Sequence, residues 1–398
     1  MKVIKGAKRA LGIEYAIRDV VVPASKLEKE GHKILNLNIG DPVAYDFDVP
    51  PAIKKACQKA IEDGKNFYSP SYGIPPLLDA IVKKEKAQKC DITSDDLVVT
   101  TGVTEALLLL FGAALEPKDE ILVPGPTYPP YISYAKFFDA NPVSYRTVEE
   151  DGWQPDIEDI RKKITKKTKC IAIINPNNPT GALYEAKTVK AMTDLAGEHG
   201  LFVISDEIYD KMTFETPNTP TASVNKDVPL VVLNGISKVY LAPGWRIGYL
   251  GFRDPQGALA QVRDGVVRQA RARLCASNPM QYGYIEALTG DQSHIEVTNR
   301  TLRERRDIAC QRFNEIEGLS SQRPGGAFYM FPKIEHPKLQ DDKKFVLDLL
   351  MKKHVLSVHG SGFCPVYGKG HFRIVFLPPP KVLNEAMDRI EEYFKEMK

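Results

Sequence analysis

Short apolar runs alternate with longer helical patterns through the middle of the chain. The runs "DLVVT" (96–100), "EILVPG" (120–125), "KCIAIIN" (169–175), "LFVISD" (201–206), "LVVLN" (230–234) and "IGYLGF" (247–252) are apolar on both alternating positions. Strands read this way when both of their faces are covered, as in a parallel sheet flanked by helices. Between them, "TEALLLLFGAAL" (104–115) and "EAKTVKAMTDLAGEHG" (185–200) predict helices, the second stopping at Gly200. The alternation predicts an α/β fold with a mostly parallel, helix-covered sheet.

Beyond about residue 290 the pattern changes. "SHIEVTNRTLRERRDIACQRFNEI" predicts a long charged helix. Short strands follow near "AFYMFP" (327–332), "HVLSVHG" (354–360) and "HFRIVFL" (371–377), then a terminal amphipathic helix. We expect a large unit over 46–290 and a smaller α+β unit over 291–398, with an N-terminal segment, 1–45, belonging to the smaller one. "GKNFYSPSYGIPPL" (64–77) reads as a long polar loop, and such loops in compact regions are often functional.

Composition narrows the function classes. The chain has 398 residues, 43% hydrophobic and 26% charged, as in a soluble globular protein. Its 54 basic and 51 acidic residues leave a net charge of only +3, which argues against nucleic acid or anionic membrane as a partner. No apolar stretch suits a signal sequence or a membrane span, so a cytoplasmic location is expected. Cysteines 57, 90, 170, 275, 310 and 364 are scattered without a C-x-x-C pair, and the seven histidines lack ligand spacing, so neither disulfides nor a metal site is expected.

Polar residues cluster where the putative strands end, the edge at which open α/β sheets bind ligands. In "VVTTGVTEALLLL" the amides of Gly102, Val103 and Thr104 open a helix, a phosphate-favouring arrangement that is also an ordinary N-cap. "IINPNNPTG" (173–181) holds the Asn178 amide between two Asn-Pro steps, or is simply a loop shaped by its prolines. "VISDEIYDKM" puts Asp206 at the end of a buried strand with Tyr209 three residues on; the carboxylate needs a cation or hydrogen-bond donors, or caps a following helix. "VVLNGISKVYLAPGWRIGY" (231–249) supplies Lys238 and Arg246, the first a reactive amine or a surface charge, the second suited to bidentate phosphate binding. Together these are the parts required by pyridoxal 5'-phosphate: a Schiff-base lysine, an anion opposite the pyridine nitrogen and phosphate donors. "VHGSGF" (358–363) lacks the glycine two positions before Ser361 that a nucleophile elbow requires.

"NPNNPTG", "SDEIYD" and "SKVYLAPGWRIGY", in this order and at these intervals, resemble the class I and II aminotransferases of fold type I over essentially the whole chain. The resemblance implies a homodimer with shared active sites. Lys238 would carry the cofactor and shuttle the proton, Asp206 pair with the pyridinium, and Tyr209 and Asn178 donate to the ring oxygen. Tyr128 of "PGPTYPPY" would stack on the ring. Arg246, Ser237 and the Gly102–Thr104 amides would bind phosphate, with Tyr68 reaching in from the second subunit. Arg373 of "GHFRIVFLPP" matches the clamp on the substrate α-carboxylate, and Gly40 of "LNIGDP" the backbone beside it. One departure is Gly235, where many members carry a serine three residues before the lysine with its hydroxyl on the phosphate; that contact is in question here.

The N-terminal "KRALGIEYAIRDVVVPASKLEKEGHKILNLNIGDP" and "RARLCASNP" (271–279) resemble the archaeal and bacterial alanine aminotransferase branch. That likeness implies amino transfer between L-alanine and 2-oxoglutarate, with Tyr15, and with it Arg18, closing over a small substrate; packing of an N-terminal helix accounts for Tyr15 equally well. Arg273 either holds a second substrate carboxylate or makes a structural ion pair. Alternatives are an aromatic or aspartate aminotransferase, a pyridoxal-dependent lyase on the same fold, or a transcription regulator, for which residues 1–41 are too short a DNA-binding module.

Overall fold

The structure, a computed structural model, describes residues 3–13 and 20–397. Strand β1 (Leu35–Asn36) precedes an eight-stranded sheet built from β2 (Leu97–Thr100), β3 (Glu120–Gly125), β4 (Asn141–Val148), β5 (Gln154–Pro155), β6 (Thr168–Ile174), β7 (Phe202–Asp206), β8 (Leu230–Gly235) and β9 (Gly248–Arg253). Its order is β2-β9-β8-β7-β6-β3-β4-β5. The central strands from β8 to β4 run parallel, as expected from their two-sided apolar pattern. Strand β9 is antiparallel to both β8 and β2, and β5 to β4. The sequence pattern named neither β4 nor β5; β4 is largely half-buried and lacks the continuous apolar run of the central strands.

Alternate residues of these strands feed two core layers. Ile171 and Ile173 face one side of the sheet with Val203 and Val232, whereas Cys170, Ala172 and Ile174 face the other with Ile204 and Val231. The helix Val103–Ala114 covers the second side through Leu107, Leu110 and Phe111, and Ala186–Glu198 covers the first through Val189, Met192 and Leu195. Each such aliphatic side chain contributes about 1.5–3 kcal/mol by leaving water. Helix Ala186–Glu198 stops two residues before Gly200, whose φ of 66° is the left-handed turn an L-residue resists.

The C-terminal part carries the long helix Ser293–Glu315 and the short strands β10 (Leu319–Ser320), β11 (Tyr329–Met330), β12 (Lys333–Ile334), β13 (Val355–Leu356), β14 (Val358–His359) and β15 (Phe372–Val375). Strands β11, β15 and β14 form an antiparallel sheet, and β1 pairs in parallel with β13. That pairing fixes the N-terminal segment on the C-terminal part and delivers Gly40 to the sheet edge discussed below. The terminal helix is Pro380–Glu396.

One ionic cluster is sealed within the core. Lys84, on the helix Pro75–Ala87, lies 3.0 Å from Glu85 and 3.0 Å from Asp210. Tyr249 of β9 donates to Glu85, and the Asn234 amide of β8 donates to Asp210 at 3.0 Å. Burial opposes charge on Lys84, yet the two carboxylates more than offset it and hold the ammonium well above the usual lysine range. Breaking a buried pair costs about 3–5 kcal/mol because it strands the remaining charge. Lys84→Met is therefore expected to destabilise the protein by that amount in denaturant unfolding. A midpoint equal to wild type would mean that the cluster contributes no net stability.

Candidate active site

The strand directions explain how residues far apart in sequence converge. Because β2, β3, β6, β7 and β8 all point the same way, their carboxyl ends share one edge. Strand β9 runs back from that edge, so Arg246, two residues before it, lies beside Lys238, three residues after β8. A cavity of about 210 Å³ opens there. Its walls include Gly40, Val103, Thr104, Tyr128, Asn178, Asp206, Tyr209, Ser237, Lys238, Arg246 and Arg373.

Lys238 is half-buried, and its Nζ donates to the Gly40 carbonyl at 2.6 Å. Burial lowers its pKa from 10.5 to about 8; Asp41 opposes the shift, while Arg373 and Arg246 add to it. A lysine in this state is half neutral at about pH 8, far below the usual lysine range, and the neutral form is the nucleophilic one. The surface-charge alternative for Lys238 therefore fails on its place in the cavity wall and its bond to Gly40.

Asp206 ends β7 at 3% exposure. Tyr131 donates to its Oδ2 at 3.0 Å and the Ile208 amide to Oδ1 at 3.2 Å. Burial raises its pKa to about 6, against these two donors. No helix follows directly, so helix capping is not its role. A cation placed in the cavity would compensate the charge that burial disfavours.

The turn after β2 forms a cradle. Gly102 caps the helix Val103–Ala114 with φ 79°, and a Cβ built there would sit 2.5 Å from Arg246 Nη2. The guanidinium thus lies directly on the turn, where it donates to the carbonyls of Pro243 at 2.8 Å and Thr101 at 3.3 Å. Helix amides and an arginine facing one space suit a phosphate. Gly235 has a steric cause: a Cβ would come within 2.7 Å of the Ile247 carbonyl oxygen and 2.9 Å of Gly248 Cα. A serine hydroxyl has no room at this position, and Ser237 lines the cavity instead.

Arg373 is 1% exposed on β15. It donates to the Asn178 side-chain oxygen at 3.1 Å and to the Asn38 carbonyl, with its guanidinium over the rings of Tyr329 (4.7 Å) and Phe363 (4.8 Å). The bond to Asn178 Oδ1 directs the amide nitrogen of that residue elsewhere, which leaves it available as a donor.

Tyr68 lies outside this chain's cavity, 79% exposed on the loop before the helix Pro75–Ala87. Arg273 does not reach the cavity; it donates to the Val99 carbonyl at 2.9 Å and lies 3.5 Å from Glu105, a structural pair. Tyr15 and Arg18 lie outside the described residues. Sequence reasoning missed Tyr131 and Tyr329. The first stands three residues beyond Tyr128 within the same quoted motif, a spacing that places both near one helix start. The second gives no signal beyond a strand pattern.

The chain matches the family model "Aminotransferase class I and II" over residues 32–390. A solved alanine aminotransferase from Pyrococcus furiosus is 56% identical with a TM-score of 0.97, covering 98% of this chain and 100% of that one. The glutamate-pyruvate aminotransferase AlaA of Escherichia coli K12 is 36% identical over 95% of each chain. A Thermus thermophilus aspartate aminotransferase double mutant is 30% identical with a TM-score of 0.90, over 98% of this chain and 100% of that one. The chain belongs to the class I and II aminotransferase family and has its fold type I architecture, and the cofactor of this family is pyridoxal 5'-phosphate. The half-buried amine, the caged carboxylate and the arginine-backed glycine turn are a donor set that fits it.

Two outcomes are expected. Capture of pyridoxal phosphate by Lys238 in the apoprotein should accelerate with pH through a midpoint near 8, because only the neutral amine attacks. Stopped-flow absorbance measures this, and a midpoint at the ordinary lysine value of 10.5 would contradict the burial effect. Gly102→Ala should weaken cofactor affinity by about tenfold, since the left-handed φ and the displaced guanidinium together cost on the order of 1–2 kcal/mol.

Proposed function

We propose that this protein transfers the amino group between L-alanine and 2-oxoglutarate, giving pyruvate and L-glutamate in a ping-pong exchange. The observation that carries the reading is one cavity lined by Lys238, Asp206 and Arg373, in which burial lowers the Lys238 pKa to about 8. In this reading Arg373, aimed by Asn178, binds the α-carboxylate beside Gly40. Tyr128 stacks on the cofactor ring, Tyr209 and Asn178 donate to its oxygen, and Asp206 keeps its nitrogen protonated. Arg246, Ser237 and the Gly102, Val103 and Thr104 amides hold the phosphate. The chemistry supplied by bound pyridoxal phosphate is an electron sink for the pair released at the substrate Cα. Lys238 would take up and give back the proton at the substrate Cα, so its amine must alternate between neutral and charged forms. A pKa near 8 suits both directions of that transfer.

Preference for alanine rests on the relatives, two of which carry alanine or pyruvate in their names. An aspartate-directed enzyme is the second reading, favoured by the Thermus relative. Within this chain Arg273 contacts Glu105 and the Val99 carbonyl and does not line the cavity.

We further infer a homodimer in which Tyr68 enters the site of the second copy. Phe67 and Tyr68 are 61% and 79% exposed, and the Asn278 amide ties this loop to the segment bearing exposed Leu274. We retain the division into 1–45 with 291–398 and 46–290, supported by the β1–β13 pairing. A cytoplasmic location is part of the same reading; no helix among the described residues is long and apolar enough to cross a membrane.

Single-turnover conversion to pyridoxamine phosphate, followed by absorbance, should be much faster with alanine or glutamate than with aspartate or tyrosine. A clear preference for aspartate or tyrosine would sink the substrate assignment. Repeated turnover without a 2-oxo acid acceptor, beyond one product per site, would favour a lyase instead. Arg373→Lys should reduce kcat/KM for alanine roughly a hundredfold, the loss of about 3 kcal/mol for a charge-assisted bond pair. Lys238→Ala should abolish turnover.

A further inference from the structure

The hydroxyls of Tyr209 and Tyr329 lie 2.8 Å apart, both within the core. Their rings meet edge to face with centroids 5.7 Å apart. Tyr209 follows β7 of the large sheet, whereas Tyr329 belongs to β11 beside the Arg373 strand. The ring of Tyr329 faces the Arg373 guanidinium at 4.7 Å. Its hydroxyl lies against Gly40, where any Cβ would run into it, and the Gly40 carbonyl accepts from Lys238. One side chain therefore touches the ring-oxygen donor, the carboxylate clamp and the backbone that holds the lysine.

A hydroxyl pair shares one proton along its own hydrogen bond and leaves the other to donate elsewhere. The stronger acceptor decides the direction. Burial, and next the neighbouring Tyr329, raise the Tyr209 pKa well above its usual value, so Tyr209 stays a neutral donor. An anionic oxygen in the cavity would draw the Tyr209 proton and leave Tyr329 to supply the proton between the two. Such chains strengthen each member in a low-dielectric interior.

We propose that Tyr329 is a positioning residue which donates to Tyr209, and thereby aims and strengthens the bond Tyr209 gives to the ring oxygen of pyridoxal phosphate. This rests on the assignment of Tyr209 to that oxygen under Proposed function. With the cofactor bound, its ring oxygen would share a proton with the Lys238 nitrogen. A weaker Tyr209 donor leaves the oxygen more basic, so the shared proton is held more tightly and leaves at higher pH. Tyr329→Phe removes the hydroxyl while keeping the ring that faces Arg373.

The test is a pH titration of the absorbance of bound pyridoxal phosphate in wild type, Tyr329→Phe, Tyr209→Phe and the double variant. Tyr329→Phe should raise proton affinity about threefold, a fraction of the Tyr209→Phe effect, as expected for one cooperative bond. The double variant should match Tyr209→Phe alone. An unchanged midpoint in Tyr329→Phe with a shifted one in Tyr209→Phe would overturn the inference and leave the site assignment standing. Additive shifts in the double variant would overturn it as well, because Tyr329 would then act without Tyr209. No shift in Tyr209→Phe would remove the assignment of Tyr209, and the role of Tyr329 with it.

Discussion

A carboxyl group at the inner end of β7 has almost no water to solvate it, and its neighbourhood is organised around that fact. Asp206 meets a phenol from Tyr131 and a backbone amide from Ile208, which ease the penalty without cancelling it. The residual cost is relieved only by a positive partner, which the cavity in front of it is shaped to admit. Lys238 carries the opposite penalty, and the nearby arginines add to it. The apoprotein thus holds an acid and a base each short of its usual charge, both facing a space where a ring bearing a cation and a phosphate would satisfy them.

The segment that bears Asp206 and Tyr209 is itself anchored from behind. Asp210, one residue past Tyr209, is caught between Lys84 and Asn234, and Asn234 also donates to the Glu207 carbonyl at 2.9 Å. Asn234 belongs to the strand that leads into Lys238. The acid and the amine of the site therefore hang from one polar frame within the core. The frame fixes their separation independently of loop conformation, as functional groups on rigid elements require.

Much of this was legible in the sequence for an identifiable reason. Apolar occupancy on both strand faces marked β2, β3, β6, β7, β8 and β9, and a charge or amide at the end of such a run stands out against it. Asp206 carried that contrast, Lys238 and Asn178 gained weight from it only when read together, and Arg373 came from the family resemblance. The antiparallel course of β9 was not legible, since a buried strand has the same pattern in either direction, yet that course is what brings Arg246 back to Lys238. Tyr131 and Tyr329 were missed because their importance lies in partners 75 and 120 residues away. The contact of Arg273 with Glu105 likewise depends on packing between distant segments.

The contact of Gly235 with the backbone of β9 has a wider meaning. Strands β8 and β9 approach there with no side chain between them, so the seam cannot accept even a methyl group without parting. Chemical variety at this end of the sheet is therefore confined to the turn between the strands, residues 236–247, where Ser237, Lys238 and Arg246 reside. An engineer seeking to retune phosphate recognition has freedom in that turn and almost none one residue earlier. The rigid joint and the variable turn are neighbours along the chain, which lets binding chemistry diversify while the strand register that carries it stays fixed.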